Sequence, residues 1–522
     1  MRRLTIVCSL FLALAVLAAP ASASTGQESQ LQDDPLLVYK SPSEVARTLD
    51  ELKALGVVRV RVTVLWRLVA PDPTSQTKPA GFDGSNPAAY PRGTWNRFDT
   101  IVRLAAGRGI AVHFSPTAPA PSWATGNPER TDLEETFDPS PAEYGAFVTA
   151  VGRRYDGTYD PCASADRYCD PFGGALPRVS FWSFWNEPNQ SAWLSPQNDS
   201  TGAAAARIYR GLLAAGWNAL TATGHTPKRD TLLFGELAPK GQNGAGVSDN
   251  VKPLAFLRAL YCVDSRFKPL RGGAATGLGC PGSTGAFVSA NPALFQASGL
   301  AHHPYALLEP PSRRSSDKDF AVLADTPRLT STLDRSVRAY GSKRKLPIWL
   351  TEYGYQTKPP DPFGVSPSTQ AAYLNEAEYI AYRTSRIRSW SQFLLVDDGP
   401  IASEPPSSPL YWGTFQTGLV GLDGKRKPAY DAYRLPIFVP SPRNRSGRFT
   451  VWGGARSASN GSRPRVAIQY RRSGARSFAA LKSVKVKNAR GYFVATVRLP
   501  ASGQLRLAFG GSVSRFVTVK RG

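Results

Sequence analysis

Two glutamates stand where acid–base chemistry could be done. Glu187 closes an apolar, aromatic run, Phe181-Trp-Ser-Phe-Trp-Asn-Glu-Pro-Asn189, and Glu352 closes a second, Leu346-Pro-Ile-Trp-Leu-Thr-Glu-Tyr-Gly-Tyr355. A pair of carboxyl groups is what cleavage of a glycosidic bond requires. One donates a proton to the leaving oxygen while the other, ionised, attacks the anomeric carbon, and a separation of about 5–5.5 Å goes with double displacement. One glutamate at a strand end is often only a surface residue. Two, each closing a buried run inside a specific motif, form a site pattern.

Such a pair needs a scaffold that brings distant segments to one mouth. Strand patterns at Leu36–Tyr39, Val57–Trp66, Ile110–Ser115, Val179–Trp185, Thr231–Leu237, Ser298–Tyr305, Leu346–Tyr353 and Trp390–Val396 alternate with helical patterns over roughly 400 residues. Eight such units predict an α/β fold, a (β/α)8 TIM barrel over 24–436, with Glu187 and Glu352 at the C-terminal ends of strands four and seven. An open doubly wound sheet would need a nucleotide fingerprint. The G-x-G-x-x-G match, Gly277-Leu-Gly-Cys-Pro-Gly282, lacks the preceding strand and following helix and reads as a loop. Residues 436–447 (PIFVPSPRNRSG) read as a linker. Short alternating runs at Arg448–Trp452, Arg465–Tyr470, Tyr492–Leu499, Gln504–Phe509 and Ser514–Val519 then predict an antiparallel β-sandwich over 437–522.

The segments Trp185-Asn-Glu-Pro-Asn189, followed by Trp193, and Leu350-Thr-Glu-Tyr-Gly354 resemble clan A glycoside hydrolases, the 4/7 superfamily, with family 39 nearest and family 5 next. The resemblance covers about residues 36–436. It implies an enzyme that hydrolyses O-glycosyl bonds of a β-linked poly- or oligosaccharide with retention, Glu187 as acid/base and Glu352 as nucleophile. It also implies that Arg61 keeps the nucleophile ionised, that Asn186 holds the sugar 2-hydroxyl, that Tyr305 hydrogen-bonds the nucleophile and that His303 lines the pocket. The clan often has a tryptophan at the end of strand eight. Phe393-Leu-Leu-Val-Asp-Asp398 has none, and Trp412 is the substitute expected. Trp66, Trp123, Trp193 and Trp412 are expected on the catalytic face as sugar-stacking platforms, whereas Trp95, Trp217 and Trp390 are expected in the core. His113, mid-strand, reads as structural. A barrel that binds polysaccharide without cleaving it is the alternative, and intact Asn186, Glu187 and Glu352 argue against it.

Arg2 and Arg3, an apolar run over 4–19 and Ala21-Ser22-Ala23 read as a signal peptide, so the protein is expected to be secreted, extracellular or cell-wall associated, without a membrane span. Cys8 falls inside that leader. Of the three pairings open to Cys162, Cys169, Cys262 and Cys280, the local one, 162–169 and 262–280, is the simplest in an oxidising compartment. Four histidines and no C-x-x-C spacing predict neither a metal nor another cofactor. The formal charge of +24 is uneven: 437–522 holds 18 Lys and Arg with no Asp or Glu. That module is expected to meet an anionic cell-wall polymer or acidic polysaccharide rather than nucleic acid.

Overall fold

The structure, a computed structural model, describes residues 24–126, 130–163, 172–457 and 464–522. The leader expected at 1–23 and Cys169 lie outside them. Eight parallel strands close a barrel in chain order: β1 (Glu28–Gln32), β2 (Arg59–Leu65), β3 (Ala111–Thr117), β4 (Phe181–Ser183), β5 (Thr231–Leu237), β6 (Gly299–His302), β7 (Ile348–Leu350) and β8 (Ile387–Phe393), with β1 paired to β8. Helices Pro42–Ala54, Asn96–Ala106, Pro141–Arg154, Ala204–Ala222, Pro253–Leu260, Thr326–Arg338 and Pro367–Arg383 lie between them. The first of these starts at a capping box, Ser41 with Glu44, with Pro42 in the first turn, and buries Val45, Leu49 and Leu52.

β2 shows how the barrel is built. Val60, Val62 and Val64 point out into the apolar layer under the helices, while Arg59 and Arg61 point inward. The barrel interior is therefore polar through its height. At the bottom, Arg59 pairs with Glu28 and lies 3.3 Å over the Phe181 ring. In the middle, His113 meets Gln30 and Ser183. At the top sits the constellation described below.

The first strand is not at Leu36–Tyr39. Asp33 caps a short helix, Asp34–Leu37, with Pro35 in its first turn, and β1 lies upstream. Its inward residues, Gln30 and Gln32, are amides buried against partners inside the barrel, so the segment carries no apolar alternation.

The C-terminal module has two antiparallel sheets. One contains β9 (Ile437–Phe438), β10 (Arg448–Gly454) and β13 (Tyr492–Arg498). The other contains β11 (Arg465–Arg472), β12 (Ala479–Lys485), β14 (Gly503–Phe509), β15 (Ser512–Val513) and β16 (Val517–Val519). The stretch expected as a linker opens inside this sandwich, because Ile437 and Val439 belong to its core and Phe438 pairs with Trp452. The sandwich seats on the N-terminal face of the barrel, opposite the strand ends that carry Glu187 and Glu352. Arg456 and Tyr492 reach Glu378 on the helix before β8, Arg490 reaches Glu28, and Trp452 packs on Tyr379 and Tyr382. Gly56 (φ +82°) closes the seam: a Cβ there would fall 2.1 Å from the Arg456 carbonyl oxygen.

A disulfide joins Cys262 to Cys280, as the local pairing expects. Cys162 is also disulfide-bonded. Cys280 sits in the G-x-G-x-x-G segment, which has short helices on both sides, Gly272–Gly277 and Thr284–Ala290, but no strand leading into it. No helix among the described residues is long and apolar enough to cross a membrane.

Candidate active site

Beyond β4 the backbone makes two left-handed residues, Trp185 (φ 64°) and Glu187 (φ 36°). Neither is glycine, so both cost strain that neighbouring strands must hold. Trp185 N–H donates to the Pro116 carbonyl, Asn186 N–H to the Thr117 hydroxyl, and Glu187 N–H to the Glu236 carbonyl. The rings of Trp182, Phe184 and Trp185 turn outward, against Phe114, Trp217 and Tyr144 respectively. What reaches inward from this corner is Asn186 and Glu187.

Glu352 stands two residues beyond β7, on the facing wall. Arg61 donates through Nη1 to its Oε1 at 2.7 Å, and the Tyr305 hydroxyl donates to its Oε2 at 3.0 Å. Arg61 is fully buried and also reaches Gln32, Asn186 (2.7 Å) and Glu236 (3.3 Å). Asn186 thus turns its oxygen to Arg61 and presents its NH2 to the cleft. Burial raises the Glu352 carboxyl above the ordinary carboxylate range, and His303 and Arg61 oppose that rise.

His303 joins the two walls. Its Nδ1 lies 2.8 Å from Glu187 Oε1 and 3.5 Å from Glu352 Oε2, and its Nε2 lies 2.7 Å from Glu236 Oε2. Burial opposes a charge on the ring, but Glu352 and the hydrogen bonds to Glu187 and Glu236 outweigh it, and the imidazolium is held up to about 10. Both ring nitrogens therefore donate. Glu236 is fully buried; burial would raise its carboxyl, but Arg61 and His303 bring it well below the ordinary range. His113 lies beneath it, with Nε2 3.8 Å from Glu236 Oε1, and burial pushes its ring down to about 3, in keeping with a structural role.

Glu187, His303 and Glu352 offer ligand atoms that all lie within 4.8 Å of one another, which among the described residues makes them the group able to hold a metal ion. The donor set fits one poorly. With Nδ1 and Nε2 both engaged by carboxyl oxygens, His303 has no lone pair to give.

The cleft above these residues has a volume of about 830 Å³ and takes in Asn186, Glu187, Tyr305 and Glu352. The tryptophans divide differently from the sequence expectation. Trp193 lines the cleft, but Trp66 does not: it is 1% exposed and stacked on Phe147. Trp123 packs edge-on against Trp66 and donates its N–H to the Pro71 carbonyl. Trp412 packs against Tyr411, and its neighbour in sequence, Phe415, reaches the cleft instead. Phe393 occupies the wall at the end of β8. Glu236 was not among the sequence candidates, although it ends β5 as Glu187 and Glu352 end their segments, and that position was the available signal.

No family model and no curated protein matches the sequence. Among solved structures, the chain is similar to a family 39 glycoside hydrolase from the gut symbiont Bacteroides cellulosilyticus WH2 (14% identity, 94% of this chain and 82% of that chain, TM-score 0.45). It is also similar to a family 1 β-glucosidase from Thermotoga maritima (11%, 74% and 83%, TM-score 0.44). A third likeness is to a modular endo-β-1,4-mannanase of family 26 from Cellulomonas fimi (14%, 96% and 95%, TM-score 0.37). At TM-scores under 0.5 none of these likenesses bears on the chemistry, which rests on the geometry of the site.

Proposed function

We propose that this protein is a retaining glycosidase that hydrolyses β-glycosides. The observation that carries the reading is the pair of carboxyls on opposite walls of one cleft, with oxygens within 4.8 Å of each other. Inverting enzymes keep their carboxyls about 6.5–9.5 Å apart to admit a water between them. Glu352, tied by Arg61 and Tyr305, attacks the anomeric carbon. The glycosidic C–O bond breaks and Glu187 gives its proton to the leaving oxygen. Glu187, now ionised, takes a proton from water, whose oxygen displaces Glu352 from the anomeric carbon. The Asn186 NH2 is placed to hold a sugar hydroxyl through both steps.

A panel of 4-nitrophenyl β-glycosides tests this. Glu352→Gln should lower turnover by about 10⁴ or more. Glu187→Ala should hurt poor leaving groups far more than 4-nitrophenyl. The first product should keep the β configuration. A chain that binds glycans without turning over any of them would be a binding barrel instead.

The reading includes export of the chain, from its leader. It also includes contact between the basic sandwich and an anionic polymer, supported by a charge of one sign on a module seated away from the cleft.

A further inference from the structure

Besides polar side chains such as Lys240, Glu309 and Gln356, the cleft carries exposed apolar side chains of a kind that a polysaccharide groove does not need. Tyr39, Leu307, Leu308, Phe363 and Phe415 line it and are 55%, 53%, 54%, 63% and 50% exposed. They come from the loops after β1, β6, β7 and β8, so four separate segments converge on one patch. Leu307 holds a left-handed backbone (φ 58°), which a leucine adopts only against its own sterics. Exposed apolar side chains gathered at one cleft mark a binding face.

Sugar rings stack on aromatic faces and satisfy their hydroxyls with polar neighbours. Leucine methyls offer neither. The sugar hydroxyls that face Leu307 and Leu308 would lose water with no hydrogen bond from either side chain, although Glu309 stands next to them in the lining. A hydrocarbon group would instead bury against them with gain. The carboxyl pair fixes one sugar at the centre of the cleft, so the apolar rim meets whatever that sugar is attached to.

We infer that the substrate is a β-glycoside with a large apolar aglycone, an alkyl chain or fused-ring group, rather than a chain of sugars. The inference rests on the glycosidase reading above.

The test uses the full-length chain. A 4-nitrophenyl β-glycoside panel first finds the sugar with Glu352-dependent turnover. Methyl, hexyl and octyl β-glycosides of that sugar, below their micelle concentrations, are then compared with its β-linked tetrasaccharide by product release. The expected result is a rise in kcat/KM from methyl to octyl of about 100-fold, with the tetrasaccharide below octyl. In the double variant Leu307→Ser, Leu308→Ser the octyl-to-methyl ratio should collapse to within about threefold. These side chains are more than half exposed, and a thermal melt checks that the variant folds. Equal rates for methyl and octyl, a preferred tetrasaccharide, or an unchanged ratio in the variant would overturn the apolar aglycone and leave the glycosidase standing. No turnover of any sugar in the panel would overturn both.

Discussion

His303 carries more of the site's electrostatics than the pocket-lining role expected of it from the sequence. Three carboxyl groups face it, from Glu187, Glu236 and Glu352, with Arg61, His113 and His302 as the other titratable groups nearby. Glu236 touches no part of the open cleft and acts through the histidine, so it is a positioning residue. Glu236→Gln replaces a carboxylate by a neutral amide and should bring the His303 pKa down from about 10. The alkaline limb of kcat/KM should then move down by about 1 pH unit or more. The sign on stability follows from linkage. A folded-state value above the ordinary 6.5 stabilises the fold fully below about 6.5, and the stabilisation is lost as pH rises through about 10. The melting temperature of the wild type should fall across that window, and in the variant the fall should be shallower. Parallel pH profiles for both proteins would remove His303 from this role.

Among the elements, β5 does the least obvious work. Gly235 takes φ +109° and the register with β6 shifts between Gly235 and Leu237, which turns Glu236 into the barrel. A Cβ on Gly235 would lie 2.5 Å from Leu300 Cδ1 and 2.8 Å from the Ala301 carbonyl oxygen. The second contact is backbone and cannot rotate away. Gly235→Ala should cost about 1–3 kcal/mol of stability and, by displacing Glu236, lower kcat more than it raises KM. A variant with lowered Tm but unchanged kcat would show that the bulge serves packing alone. The same strand shows what the sequence could disclose. Seven of the eight barrel strands were legible because their outward residues are aliphatic or aromatic side chains packed under helices, such as Val60, Val62 and Val64 on β2, Phe114 on β3 and Trp182 on β4. β1 was hidden because its inward face is glutamine, and β12 because an exposed edge strand with Lys482 and Lys485 has no buried face to betray it. Glu187 and Glu352 were legible from their motifs. Trp66 and Trp123 were misplaced because position after a strand does not fix where a ring turns: Trp66 turns to Phe147 in the helix layer, and Trp123 to Phe82 in the loop after β2.

At the scale of the whole molecule, barrel and sandwich share one buried seam. Arg456 and Glu378 are 4% and 1% exposed in their side chains, and Tyr492 donates its hydroxyl to the same carboxylate. Glu378→Ala leaves Arg456 as an uncompensated buried charge and should cost about 3–5 kcal/mol. Because the seam covers Trp452, Tyr379 and Tyr382, removing the sandwich would bare an aromatic surface on the barrel. The two parts should therefore melt together in the wild type and separately in Glu378→Ala. A single transition in both, at the same temperature, would mean that the aromatic cluster suffices.

The charge of the sandwich bears on what it meets. Apart from Arg456 and Arg490, which reach barrel acids, no described lysine or arginine of 437–522 makes an ion pair. Two like-charged pairs face each other directly across strands, Arg448 opposite Arg498 on β10 and β13, and Arg465 opposite Lys485 on β11 and β12. Like charges in that position destabilise a sheet, so a sequence shaped by folding alone would be free to neutralise one member of each. On the sheet that carries the second pair, Arg471 and Arg506 flank the Phe478 ring at 4.7 and 4.1 Å, and β11 and β14 set Gln469 against Arg506. Each of the two sheets thus presents cations at strand spacing, an arrangement suited to a linear polyanion held in a salt-dependent way. Changing one member of each pair to threonine, Arg498→Thr with Lys485→Thr, separates folding from binding because the two effects have opposite signs. Stability should hold or rise, since threonine favours strands and the repulsion is gone. Retention on an immobilised acidic polysaccharide at low ionic strength should fall, while turnover of small glycosides in the distant cleft should not change. If the variant gains stability and is retained as tightly as the wild type, the charge of these paired positions is not what holds a polymer.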